Sequence, residues 1–240
     1  MQLFPRNIGI IMDGNRRWAC KRFSSNISGH VKGAKTLKKI VEKCADIKIK
    51  QLTVFAFSTE NWNRLPSETA ALMKLFENYI KSEIVEVHQN NLKFKVIGNK
   101  KNLPKSLISL IEYSHNLTQN NKGMQFNVCL DYGGKYDILE ATKSIAKKIE
   151  NKEMVPDEIS LEKFKDNMIS SKIEDLDLLI RTSGETRLSN FMLWQMAYSE
   201  IYFTDKLWPD FSVQDLDKAI MFYCSRDRRY GSSSSVSAAD

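Results

Sequence analysis

Directly behind the apolar run at residues 7–12 stand Asp13, Gly14, Asn15, Arg16 and Arg17, one carboxylate beside two guanidinium groups. Such a set suits an anionic ligand accompanied by a divalent cation. An arginine fork donates two charge-assisted hydrogen bonds in fixed geometry, each contributing about 1.5–3 kcal/mol. Magnesium takes one or two carboxylates and fills its shell with phosphate oxygens and water. Three further polar segments follow apolar runs in the same way: STENWNR at 58–64, DYGGK at 131–135 and RTSGETRLSN at 181–190. Together they offer Arg17, Arg64, Arg181 and Arg187 with several hydroxyls, a set able to grip a diphosphate. Each also has a plainer explanation, because DGN is a common turn and exposed arginines often form a solvated rim. Neither GxxxxGK[ST] nor GxGxxG occurs, so the usual nucleotide-phosphate loops are absent.

These segments need a scaffold that brings them to one side. Runs rich in Ile, Val and Phe near 7–12, 51–57, 92–98, 125–130, 176–180 and 200–203 predict strands, and segments of helical period near 31–47, 67–90, 104–118, 137–150 and 213–225 predict helices. The alternation predicts an α/β fold: one domain with a central, mostly parallel six-stranded sheet flanked by helices. In such sheets ligands bind outside the carboxyl ends of the strands, which is where the four segments fall. After Pro66, Leu72, Met73, Leu75, Phe76, Tyr79, Ile80 and Ile84 recur at three- and four-residue intervals, the pattern of a long helix with one apolar face. Ser212 and Asp215 form a capping box for the last helix. Trp62, Trp194 and Trp208 are expected as core or interface aromatics, His88 and His115 as surface residues, and 232–240 as a disordered serine-rich tail.

The 240 residues, 42% hydrophobic, suffice for one full-sized core. A net charge of +7 favours anionic partners without choosing among nucleic acid, an acidic membrane and a phosphorylated small molecule. A nucleic-acid partner is not expected, for want of a recognisable module or a clustered basic stripe. Cys20, Cys44, Cys129 and Cys224 have neither CxxC spacing nor nearby histidines, so no zinc site or disulfide framework is indicated. With no spanning apolar run and no signal-like start, a cytoplasmic location is expected.

Five segments in order, IMDGNRRWA, GHVKGAKTL, FAFSTENWNR, RTSGETRLSNFMLWQMAYSEIYFTDKLWPDF and RDRRYG, make the chain resemble the cis-prenyltransferase family from about Asn7 to Gly231. The resemblance implies a catalytic domain over 1–231 and a Mg²⁺-dependent homodimer. It would add isopentenyl diphosphate repeatedly, in cis, to an allylic diphosphate such as farnesyl diphosphate. The growing chain would lie in an apolar tunnel between sheet and helices, with peripheral membrane contact on release. The product would be a long-chain polyprenyl diphosphate such as undecaprenyl diphosphate, a lipid-carrier precursor for cell-wall synthesis. Carried over by motif, Asp13 would hold Mg²⁺ and the allylic diphosphate, with Gly14, Asn15, Arg16 and Arg17 as its cradle and His30 beside it. Ser58 and Asn61 would position isopentenyl diphosphate and help remove its proton, with Arg64 following in the same loop. Arg181, Arg187 and Ser189 would bind isopentenyl diphosphate, Glu200 would assist the metal, and Trp18 would pack at the mouth. Arg229 and Gly231 would complete the neighbouring subunit's site.

Three positions depart from the family pattern. Asn26 stands where an arginine that touches the allylic diphosphate is frequent, unless Lys21 or Arg22 reaches across. DYGGK replaces the common NYGGR, so the Asp131 carboxylate must be paired or turned away, and Asn7 replaces a frequent histidine. Two alternatives remain open at this point: a synthase of short or altered product, and a noncatalytic subunit of a heteromeric prenyltransferase. Met124, just before the FNVCL strand, and residues of the helix from Ala70 to Ile84 are the expected tunnel floor.

Overall fold

A computed structural model describes residues 4–227. Six strands, β1 (Asn7–Ile11), β2 (Gln51–Ser58), β3 (Lys93–Ile97), β4 (Gln125–Tyr132), β5 (Leu178–Arg181) and β6 (Glu200–Phe203), form one sheet in the order β3-β4-β2-β1-β5-β6. Every adjacent pair is parallel, so all six carboxyl ends lie on the same side. The order turns back at β1, with β2 on one flank and β5 on the other. This makes the end of β1 the switch point where such sheets open a crevice.

Period two divides the core between the faces. Ile8, Ile10, Leu178 and Ile180 join the larger apolar cluster, while Ile11 and Leu179 face a second one with Phe191, Met192 and Met196. Helices α2 (Asn26–Asp46), α3 (Pro66–Gln89), α4 (Lys105–Thr118) and α7 (Val213–Cys224) contribute to the first cluster. Pro66 opens α3, where its missing N–H leaves no bond unmade. The 24 residues of α3 give a helix about 36 Å long. The Ser212 capping box of α7 is present, with Asp215 Oδ2 accepting from the Ser212 N–H at 3.0 Å.

The strands fall within a few residues of expectation, and the helices differ in informative ways. A short helix α1 (Asn15–Lys21) stands where only a turn was expected, because Gly14 at φ 108° redirects the chain and NRRWACK contains no breaker. The next helix begins at Asn26, five residues before the expected start, despite two glycines in its first turns. Those glycines let α1 cross it closely: a Cβ on Gly29 would stand 2.1 Å from the Asn15 carbonyl oxygen. Helix α5 (Gly134–Glu150) starts three residues early, and the short α6 (Leu161–Asp166) lies where no element was expected.

Trp208 is buried, while Trp62 and Trp194 are half-buried. His88 is exposed as expected. His115 is not a surface residue: its Nε2 accepts from the Val96 N–H at 3.1 Å, satisfying a donor on edge strand β3. The serine-rich tail, Arg229 and Gly231 lie outside the described residues.

Candidate functional site

Asp13 follows β1 and is fixed by its backbone, its carbonyl accepting from the Thr182 hydroxyl at 2.7 Å and the Trp208 N–H at 3.0 Å. Its carboxylate, about one-third exposed, accepts from Arg181 Nη2 at 2.8 Å and lies 3.5 Å from Arg17 Nη2. Burial alone would raise its pKa. The Arg181 hydrogen bond, the Arg181 and Arg17 charges and the Gly14 N–H together hold it below the usual carboxylate value. Asp13 is therefore anionic at neutral pH.

Arg181, the last residue of β5, is 3% exposed and donates through Nη1 to Ser189 Oγ at 2.6 Å and to the Arg187 carbonyl. Its buried Nε has no partner. Arg17 donates to the Ser183 carbonyl at 3.0 Å and to the Ser183 hydroxyl. Glu185, which the motifs did not single out, pairs with Arg17 at 3.0 Å and with Arg187 at 2.5 Å. Asp13, Arg17, Arg181, Arg187 and Ser189 thus form one cluster, as expected, with Arg16 exposed on α1 beside it.

The second loop is a 3₁₀ turn over Thr59–Asn63. Asn61 Oδ1 accepts from the Ser58 N–H at 3.0 Å, and Trp62 Nε1 donates to Asp131 Oδ1 at 2.8 Å. The Asp131 carboxylate is thus turned inward and 1% exposed, its Oδ2 unpartnered. Arg64 pairs with Glu68 on α3 at 3.1 Å. Asn190 ties three loops together: its side chain donates to Glu60 at 2.8 Å, and its Oδ1 and carbonyl accept from the Lys135 and Gly134 N–H groups at 2.8 and 2.7 Å. Residues Ser183, Ser189, Asn190 and Met192 have φ between 41° and 78°, so the 181–192 loop is folded tightly back over the strand ends.

Behind this polar rim an apolar cavity of about 200 Å³ lies between the sheet, α2 and α3, with Met12, Asn15, His30, Phe76, Phe94 and Phe126 among its walls. His30 Nε2 and Asn15 Oδ1 are buried without partners. Burial, then the Arg64 charge, with Glu68 opposing, lowers the His30 pKa to about 4, so the imidazole is neutral at pH 7. Of the residues expected at the tunnel floor, Leu72, Phe76 and Ile80 of α3 line the cavity beside Phe94 and Phe126, whereas Met124 is buried in the core before β4 and is not among the wall residues.

Other expected site residues are placed elsewhere within the chain. Glu200 opens β6 in register with Leu178, three residues before Arg181, and pairs with Arg226 at 3.5 Å. A strand advances about 3.3 Å per residue, so its backbone sits roughly 10 Å back from the level of Arg181 and Ile11, and further still from Asp13. The Asn26 side chain faces Cys20, with Oδ1 4.0 Å from Sγ. Arg22 does not reach the cluster either; it stacks 4.1 Å over Trp18 and pairs with Asp210, which also accepts from Trp18 Nε1 at 2.7 Å. Among the described residues no three His, Cys, Asp or Glu side chains gather as a metal site. An anionic, part-exposed Asp13 still fits magnesium, which draws its remaining ligands from a diphosphate and water.

The parallel sheet, cationic rim and apolar cavity define a binder of amphiphilic phosphate esters, polar at the strand ends and apolar behind them. The chain belongs to the family described as "Putative undecaprenyl diphosphate synthase", whose model matches residues 11–231. It is 48% identical over 233 residues to an isoprenyl transferase of Prochlorococcus marinus subsp. pastoris, covering 97% of this chain and 86% of that one. It is 45% identical over 229 residues to the ditrans,polycis-undecaprenyl-diphosphate synthase ((2E,6E)-farnesyl-diphosphate specific) of Coxiella burnetii, covering 95% and 97%. The solved lavandulyl diphosphate synthase of Lavandula x intermedia, in complex with dimethylallyl diphosphate, superposes with a TM-score of 0.93 at 39% identity, covering 95% of this chain and 99% of that one.

Proposed function

We propose that the protein is a Mg²⁺-dependent cis-prenyltransferase that condenses isopentenyl diphosphate repeatedly onto farnesyl diphosphate to make a long-chain polyprenyl diphosphate. The observation that carries this is the juxtaposition of the Asp13–Arg17–Arg181 cluster with an apolar cavity opening behind His30 and Asn15. The long-chain product is favoured by the curated relatives, and the altered-product alternative is kept by the lavandulyl diphosphate synthase likeness. Retention of Asp13, Arg181 and Arg187 in one cluster argues against a noncatalytic subunit.

Ionising an allylic C–O bond throws negative charge onto the departing diphosphate. Arginines already fixed by Ser183 and Ser189 stabilise that charge without reorganising, which favours the transition state over the ground state. Magnesium, when bound, supplies further charge neutralisation at the diphosphate. Asp13 would be its ligand, and Glu200 would reach it only if a partner subunit brought its own copy near. The 58–64 loop, closed by the Ser58–Asn61 contact, would orient isopentenyl diphosphate and assist loss of its proton. Neutral His30, which lines the cavity, would stand beside the allylic diphosphate. A homodimer is consistent with β6 as a half-buried edge strand, and Arg229 and Gly231 would then complete the neighbouring site.

The test is incubation with farnesyl diphosphate, radiolabelled isopentenyl diphosphate and Mg²⁺, resolving products by chain length beside Asp13→Asn and an EDTA control. A ladder of long products lost in both controls supports the proposal. Short products favour the altered-product reading, and none from an intact dimer refutes both.

A further inference from the structure

The turn that carries Ser58 and Asn61 is closed on itself, Asn61 Oδ1 accepting from the Ser58 N–H at 3.0 Å. Neighbouring side chains attach it to the body of the protein. Glu60 accepts from Asn190 at 2.8 Å, and Trp62 Nε1 donates to Asp131 Oδ1 at 2.8 Å. The Trp62 ring also stands edge-on to Phe57 of β2, with centroids 5.0 Å apart. Glu60 is exposed, whereas Trp62 is half-buried and Asp131 buried, so the Trp62–Asp131 bond is the better shielded from water and the stronger for it.

An irregularity of the sheet places Asp131 for this bond. Phe57 pairs with Leu130 and the next residue, Ser58, with Tyr132, so the ladder passes over Asp131. A residue bulged out of a ladder has its side chain re-aimed, a device found beside active sites. Asp131 takes φ 51°, a left-handed value that aspartate tolerates better than most residues. The bulge is held from behind. The Asp131 carbonyl accepts from the Asn99 N–H at 2.9 Å, and a Cβ on Gly98 would stand 1.9 Å from the Leu130 carbonyl oxygen, so β3 abuts it directly. On the other side a Cβ on Gly133 would stand 2.7 Å from Thr59 Oγ1, which shows how closely the second and third loops approach. A fixed acceptor at the end of β4 thus pins the turn to the sheet through one indole.

We propose that Asp131 is a positioning residue for isopentenyl diphosphate: by fixing Trp62 it sets the placement of Ser58 and Asn61, and with it the affinity for this substrate but not for the allylic one. The role rests on the reaction proposed above. Asp131 is 1% exposed and acts through Trp62, without touching either substrate. The asymmetry follows from what holds each group. Asp13 and Arg17, on the allylic side, are fixed by Thr182 and Ser183, which the Trp62–Asp131 bond does not involve. A turn released from Asp131 would stay closed through Asn61 and Ser58 but would sample positions away from the cluster, and ordering it again would cost binding free energy. Arg181, held by Ser189 Oγ at 2.6 Å, would keep part of the grip on isopentenyl diphosphate, so the loss is partial.

The test compares Asp131→Ala and Trp62→Phe, which remove the acceptor and the donor, with Asp131→Asn, which keeps an acceptor. Each removal should raise KM for isopentenyl diphosphate about tenfold, and its calorimetric Kd in the presence of Mg²⁺ equally, while KM for farnesyl diphosphate stays within about twofold. Amide hydrogen exchange across 58–64, read without substrate, should quicken about tenfold in both. Asp131→Asn should bring all of these back to the wild-type values. Binding and exchange need no turnover, so a wild type that makes no prenyl product would refute the reaction while these two readouts still decide the positioning role. A lowered Tm with both KM values unchanged, an equal rise for both substrates, or unaltered exchange across 58–64 would overturn the proposal. Asp131→Asn behaving as Asp131→Ala does would overturn it as well.

Discussion

Asp131→Asn should stabilise the protein. Asp131 is a carboxylate 1% exposed, with Oδ1 satisfied by Trp62 Nε1 at 2.8 Å and Oδ2 unpartnered. Burial pushes its pKa up from 3.8, and hydrogen bonds from Trp62 and Asn102 offset only part of that. A folded-state pKa above the unfolded one means that the folded chain binds more protons over the window between them. Stability is therefore lost as the pH rises through that window and stays lost above it. Asparagine is nearly isosteric, still accepts from Trp62 through its amide oxygen and carries no charge at the unpartnered position. It also tolerates the φ of 51° at this position at least as well as aspartate. Removing an incompletely satisfied buried charge gains about 1–2 kcal/mol at neutral pH, which for a chain of this size is about 2–8 °C in Tm. Urea unfolding at pH 8 and at progressively lower pH is the assay. The variant's advantage should be full at pH 8 and shrink as the pH falls toward 3.8. An advantage that is absent at pH 8, or that does not change with pH, would refute the account of Asp131 as a strained acceptor for Trp62.

Three further outcomes are expected. Phe126→Leu removes ring volume from the cavity wall and should shift products to longer chains, whereas Met124→Ala, in the core before β4, should not; chain-length analysis of both distinguishes wall from core. His30→Gln should remove a pH dependence of stability between about 4 and 6.5: the unfolded histidine is the one that binds the proton in that window, so wild-type stability rises with pH there and is flat above, as acid titration of the two proteins will show. Lys38→Met cuts the contacts from α2 to Glu83 and Glu86 at 2.9 and 2.7 Å, which flank the cavity. Being exposed, they contribute at most about 1 kcal/mol, so Tm should hardly move while single-turnover and steady-state rates reveal faster product release; unchanged release would show that the ion pairs do not restrain the helices.

The fold was legible where a local signal sufficed. Alternating apolar runs of four to eight residues located all six strands, because a parallel sheet buried on both faces demands them. The long apolar stripe behind Pro66 located α3, and Ser212 with Asp215 located the start of α7. Sequence failed where tertiary contact decided. Glycine is a weak helix former, and the expected start of α2 fell just past Gly29, with Gly33 inside the expected helix. In the fold they are the reason α1 can cross: a Cβ on Gly33 would stand 2.2 Å from Asn15 Oδ1. The same crossing holds Asn15 at the mouth of the cavity, which turns two apparent helix breakers into part of the site's support.

The site divides in the same way. Asp13, Arg17, Arg181 and Arg187 were readable because each follows or closes a strand, and a parallel sheet must deliver those ends to one edge. Asn190 and Glu185 were overlooked as site residues. Asn190 has no chemistry of its own, and its value lies in bonding to Lys135 and Glu60, which are 55 and 130 residues away in sequence. Those bonds tie the fourth loop to the second and third, which the Trp62–Asp131 hydrogen bond already joins. Glu185 was masked by its sign, since a carboxylate seems out of place in an anion site. Lying between Arg17 and Arg187, it keeps two like charges close together until a ligand supplies the negative charge instead. A cluster of arginines dense enough to hold a diphosphate would repel itself when empty, and an acidic residue among them is what allows it to be built in advance.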